Sequence, residues 1–171
     1  MNPRTPKRQR RLPLEGAVNF RDLGGYPVVG GRRTRWGCLF RSDSLAALTD
    51  GDLDRVRALG LYHVIDFRLP HERSAHPNRL PSGARPRISE IGFWPAGNAE
   101  MLEEVRNLRI DADGIERATT AHYRHYPVEH CTEYRRMLEA VEDAAGRPVL
   151  IHCVSGKDRT GFGAAVILMA L

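Results

Sequence analysis

Apolar residues recur along this chain in two rhythms, and the changes between them mark its elements. Leu53, Val56 and Leu59 stand at helical spacing behind the capping run Thr49-Asp50-Gly51-Asp52, and Gly60 closes that segment. Residues 61–67 read as a buried strand, because β-branched Val64 and Ile65 lie at their centre and the run ends in polar residues and Pro70. A loop rich in Pro, Gly and Arg over 70–87 leads to another short strand at 88–93 and then to a long helical region. Within that region Tyr134, Met137, Leu138 and Val141 fall at i, i+3, i+4 and i+7, one apolar face on a helix that Gly146 and Pro148 end. The next strand, 149–152, feeds through a Gly-containing loop into an almost wholly apolar helix from about Arg159. Earlier, the Gly- and Pro-rich stretch 13–41 holds two β-like runs, 26–29 and 38–41, around Gly30-Gly31, which predicts a hairpin or meander. The alternation predicts an α/β layer fold with a central, largely parallel sheet flanked by helices.

At 171 residues the chain is one domain with a single core. Its longest apolar run, 162–171, is ten residues including two Gly, too short to span a bilayer, which needs about 18 or more. No apolar h-region follows the basic start, so a cytoplasmic location is expected. The net charge of +5 belongs to the first eleven positions, where Arg4, Lys7, Arg8, Arg10 and Arg11 lie; beyond them 21 basic residues stand against 21 acidic ones. Residues 1–12 are accordingly read as a solvated basic arm rather than a nucleic-acid element, and residues 13–171 as the domain. The three cysteines, Cys38, Cys131 and Cys153, are too widely spaced for a disulfide framework or a zinc ribbon.

The chemistry concentrates in His152-Cys153-Val154-Ser155-Gly156-Lys157-Asp158-Arg159-Thr160-Gly161, between a buried strand and a helix start. Successive backbone N–H groups in such a loop point into one concavity, and the helix N-terminus adds positive potential, so Val154, Ser155, Gly156, Lys157, Asp158, Arg159 and Thr160 form a candidate phosphate cradle. A cysteine at its head feels the same field, which favours the nucleophilic thiolate. Five intervening residues bring Arg159 round to bind two phosphoryl oxygens with its planar fork.

Cys153, five residues, Arg159 and Thr160 resemble the signature loop of the protein tyrosine phosphatase superfamily. Residues 19–26 (Asn-Phe-Arg-Asp-Leu-Gly-Gly-Tyr), Phe40-Arg41-Ser42, Val64-Ile65-Asp66-Phe67-Arg68 and Glu72-Arg73 extend the resemblance to the bacterial tyrosine/serine phosphatases, from about residue 13 to the end. What this resemblance implies is a phosphatase that needs no metal or other cofactor and acts on phosphorylated proteins or phosphoinositides. Cys153 would attack phosphorus, Arg159 and the loop amides would stabilise the equatorial oxygens, and water would hydrolyse a cysteinyl-phosphate. His152 would orient the loop, and Thr160 would hydrogen-bond the departing sulfur. The family continues past the equivalent of Leu171 with further helices; their absence here is expected to expose Val166, Ile167, Leu168 and Leu171.

The general acid stays open between Asp158, inside the loop, and Asp66, whose alternative is a structural pairing with Arg68. Trp94-Pro95-Ala96 resembles a mobile acid loop but has alanine at the acid position, and is read as coincidence. His122, His125, His130 and Cys131 lack a recognised metal spacing and read as a polar surface helix. Residues 99–130 are either a lid over the site or a solvated helix pair. A phosphate-binding module with weak catalysis is the competing function; a sulfurtransferase or arsenate reductase would not be expected to carry the run 157–160.

Overall fold

In a computed structural model, which describes residues 8–94 and 98–171, this alternation becomes one five-stranded sheet with helices on both faces. In chain order the elements are β1 (Arg21–Asp22), β2 (Leu39–Ser42), α1 (Asp50–Ala58), β3 (His63–Asp66), α2 (Pro70–Ala75), β4 (Arg87–Glu90), α3 (Asn98–Arg106), α4 (Ala112–Glu129), α5 (Cys131–Asp143), β5 (Val149–His152) and α6 (Asp158–Met169). The strands lie in the order β1-β2-β5-β3-β4, antiparallel only between β1 and β2.

Central β5 is buried along its whole length, as a parallel strand covered on both faces must be. Because successive side chains point to opposite faces, Val149 and Ile151 join one core with Phe67, Met137 of α5 and Ile167 of α6. Leu150 joins the other with Phe20, Leu48, Val56 of α1 and Val64. The register sets His152 between Ser42 of β2 and Asp66 of β3, so three strand ends converge where the loop begins.

Several sequence expectations change in detail. The hairpin at 26–41 is reduced to a single bridge, Pro27 to Arg33, around a short 3-10 turn (Val29–Gly31), and the second run pairs instead with the two-residue β1. The strand expected over 88–93 is β4; Ile91 and Phe93 lie beyond it and turn into the core. Arg10, Arg11 and Leu12, assigned to the basic arm, run beside β1: Leu12 N donates to Phe20 O, and the Arg10 guanidinium lies 4.0 Å above the Tyr26 ring. Of the four residues expected to be exposed on the last helix, Ile167 is buried and Val166 and Leu168 are half-buried, because α6 packs on α5 and the sheet; Leu171 is exposed. Among the described residues no helix is long and apolar enough to cross a membrane.

Asp52 ties α1 to the N-terminal segment. It completes a capping box with Thr49 and also accepts from Glu15 N (3.0 Å) and Gly16 N (2.8 Å) while wholly buried. Burial alone would raise its pKa, but the backbone donors outweigh burial and hold the carboxyl below its usual range. Asp52→Ala leaves these amides unpartnered and is expected to cost about 2–4 kcal/mol in urea unfolding. A depressed carboxyl stabilises the fold above its unfolded value of about 3.9. That contribution disappears as the pH falls toward the folded value, so the gap between wild type and variant is expected to narrow under acid.

Candidate active site

The loop between β5 and α6 is held from outside through its carbonyl oxygens. Ser44 N donates to Val154 O (2.9 Å), and Asn19 Nδ2 donates to Ser155 O (2.9 Å) and Gly156 O (3.1 Å). Arg41 Nη2 donates to Gly156 O and Lys157 O. Asn19 is itself fixed where Asp43 accepts from Val18 N and Asn19 N. In a trans peptide the C=O of one residue and the N–H of the next point in opposite directions. Fixing the carbonyls of residues 154–157 outward therefore turns the N–H groups of residues 155–158 inward. Among the described residues no protein acceptor takes the N–H groups of 155–157. Gly156 permits the bend: its φ is 64°, and a Cβ there would stand 2.4 Å from Ser42 O.

Cys153 heads this concavity, 2% exposed, at the end of β5. Arg159, in the first turn of α6, donates from Nη1 to Phe67 O (2.8 Å) and Glu72 Oε2 (2.8 Å) and from Nη2 to Glu72 Oε1 (3.0 Å). Of its five N–H groups, these contacts leave the Nε–H and one Nη2–H free on a single edge, the pair that suits two oxygens of a tetrahedral anion. Burial works against the guanidinium's charge, yet Glu72 and the nearby Cys153 more than offset it and raise its already high pKa. Glu72 is correspondingly lowered: burial opposes its ionisation, and Arg159 and the Leu69 amide override that.

The two aspartates differ sharply. Asp66 is wholly buried; it accepts from Arg68 N, Nε and Nη2 and from Asn78 Nδ2, and His152 Nε2 lies 3.4 Å away. Burial resists its ionisation, but His152 and Arg68 push its carboxyl far below the ordinary range. This is the structural pairing with Arg68, and it leaves Asp66 with no proton to give near neutrality. Asp158, 39% exposed, opens α6 and accepts from Tyr123 OH at 2.7 Å. The His152 ring nitrogens and Thr160 Oγ1 are buried without a hydrogen-bond partner among the described residues.

Over the loop lies a cavity of about 380 Å³. Cys153, Ser155 and Arg159 form its floor with Lys157 at the edge, and Met101 and Leu102 of α3 with His122 and Tyr123 of α4 face it from above. Within residues 99–130 one face of each helix thus borders the site, while most of the other side chains are exposed. Trp94 is at the rim, and Pro95 and Ala96 lie outside the described residues. A larger apolar groove, about 700 Å³, lies at the opposite ends of the strands and contains Cys38 but none of the loop residues. His125 pairs with Glu129, His130 stacks on Phe93, and Cys131 is exposed; among the described residues no three His, Cys, Asp or Glu side chains gather as metal ligands would.

A sequence model described as the tyrosine phosphatase family matches residues 12–171. The chain belongs to that family. It is 35% identical over 168 residues to a protein of Cupriavidus necator provisionally named a tyrosine-protein phosphatase, with 94% of this chain aligned. It is 33% identical over 186 residues to the triple specificity protein phosphatase PtpB of Mycobacterium tuberculosis, with 95% of this chain aligned. A tyrosine-protein phosphatase of Nostoc commune is 31% identical over 131 residues, with 75% aligned. The chain spans 57%, 63% and 41% of the lengths of these relatives.

Within this family member, Glu72, Asn19, Arg41 and Tyr123 carry site contacts that sequence reasoning gave no role. Glu72 had a local signal, since a carboxylate at the third position after Leu69, just past Pro70, marks a helix start whose side chain reaches back to Leu69 N. For Gly156→Ala, the positive φ and the clash with Ser42 are expected to displace the loop. Orthophosphate binding measured by calorimetry should weaken by about tenfold or more, the equivalent of one lost charge-assisted hydrogen bond.

Proposed function

We propose that the chain is a cysteine-dependent phosphatase acting through a cysteinyl-phosphate. The observation that carries this is the ring itself: inward amide N–H groups, the free edge of Arg159 and the Cys153 sulfur share one roofed cavity. The phosphoryl group of the substrate binds with its equatorial oxygens on the loop amides and on Arg159, whose outer edge is braced by Glu72. The Cys153 sulfur attacks in line; the S–P bond forms as the P–O bond to the leaving group breaks, and Asp158 supplies the proton that the leaving oxygen takes up. Water then attacks phosphorus, Asp158 receives its proton, and orthophosphate leaves as the S–P bond breaks. Thr160, buried with an uncommitted hydroxyl, donates to the sulfur as it departs.

The apolar and aromatic roof favours a phosphotyrosine ring as the primary substrate. The extension to phosphoserine, phosphothreonine and phosphoinositide monoesters rests on Lys157, whose side chain is 75% exposed at the rim, and on one relative's being named for triple specificity. The competing reading, a phosphate-binding module with weak catalysis, forecasts little phosphate release from the wild type itself. Wild type is expected to hydrolyse an aryl phosphate and Cys153→Ser to release no phosphate while still binding it; equal phosphate release by both would overturn the mechanism. Arg159→Lys keeps the charge but loses the two-pronged edge, and its kcat/KM on the same ester is expected to fall about 10²–10³-fold.

A further inference from the structure

Asp158 is gripped on one oxygen only. Tyr123 OH donates to Oδ1 at 2.7 Å, and Lys157 Nζ lies 3.8 Å from the same atom. Among the described residues no donor meets Oδ2. Tyr123 projects from α4, in the roof, and meets the ring of Tyr126 edge-on at 5.4 Å. Tyr126 is buried and meets Phe162 of α6 edge-on at 5.3 Å. The hydroxyl is therefore positioned by an aromatic stack that ties α4 to the helix on which Asp158 sits. Burial first, and then the Asp158 carboxylate, raise the Tyr123 phenol well above its ordinary range, so it remains a donor at neutral pH.

We infer that Tyr123 is the positioning residue for proton transfer, and that by occupying Oδ1 it makes Oδ2 the oxygen that carries the proton. This rests on the reading of Asp158 as the acid. A carboxyl group turns readily about its last side-chain bond, whose wells are broad. One short hydrogen bond to Oδ1 removes that freedom and leaves the second oxygen of this cavity-lining residue as the unengaged one. In the first step the proton passes from Oδ2 to the leaving oxygen as the P–O bond breaks; in the second, Oδ2 takes a proton from the attacking water as the S–P bond breaks. Tyr123 keeps its own proton throughout. A misdirected acid matters most for alkoxide leaving groups, which depart poorly unprotonated, and least for an activated phenolate.

The test compares wild type, Tyr123→Phe, Asp158→Asn and the double variant on 4-nitrophenyl phosphate and on a phosphoserine peptide. The readout is the ratio of the two kcat values, which does not depend on the folded fraction of a sample. Tyr123→Phe is expected to lower kcat on the alkyl ester about tenfold more than on the aryl ester, as loss of one hydrogen bond to a charged group would. The double variant is expected to be no slower than Asp158→Asn alone, because Tyr123 acts through Asp158. A uniform loss on both esters, or additive losses in the double variant, would overturn the inference. If Asp158→Asn shows the leaving-group bias and Tyr123→Phe does not, only the positioning role falls. If Asp158→Asn shows no bias, the acid assignment falls and the inference with it.

Discussion

The site depends on one constraint, that four consecutive peptide carbonyls, those of residues 154–157, face outward. Once they do, peptide planarity leaves the following N–H groups no choice but to converge. Converging N–H dipoles repel one another and forgo acceptors, an unfavourable arrangement unless something compensates it. Here the compensation comes from outside the loop, where the Ser44 amide, the Asn19 side chain and Arg41 bond the carbonyls. This assigns a purpose to the irregular N-terminal third of the chain. Besides giving Phe20, Leu45 and Leu48 to the core, this segment delivers Asn19 and Arg41 to the back of the loop, and Asp43 fixes Asn19 in turn. The α6 dipole acts on an array that is already aimed.

What could be read from the sequence follows the range of the interaction. The loop itself, α5 with its Tyr134, Met137 and Val141 face, the start of α1 at Thr49 and the central strands were legible because their signals span only a few residues. Glu72 lies 87 positions from Arg159 and Asn19 lies 136 from Ser155, and no periodicity links such partners. They became visible only once β5, β3 and the N-terminal segment were set side by side. β1 escaped for another reason, since two residues are too few to show an alternation. The assignment of residues 10–12 to a solvated arm followed their charge, whereas the Arg10 stem and guanidinium lie on Tyr26 and donate to Gly24 O, which composition does not reveal.

The uncertainty between two aspartates on sequence becomes a contrast in environment. Asp66 has a full complement of donors around both oxygens, no solvent contact, and a carboxyl driven strongly toward the anion, so its free energy lies in holding Arg68 and the end of β3 together. Asp158 lines the cavity with one oxygen bound by Tyr123 and the other met by no donor among the described residues. A proton donor must be able to carry a proton and to point it somewhere; Asp66 fails both conditions, while Asp158, a cavity-lining residue, keeps that oxygen unmet by any donor among the described residues. The same division applies to the arginines. Arg68 uses its guanidinium entirely on Asp66, Ser44, His76 and Asn78, whereas Arg159 gives Glu72 and Phe67 one part of its fork and keeps an edge for the loop. In each pair of like residues, the member with unspent hydrogen-bonding capacity is the one that faces the cavity.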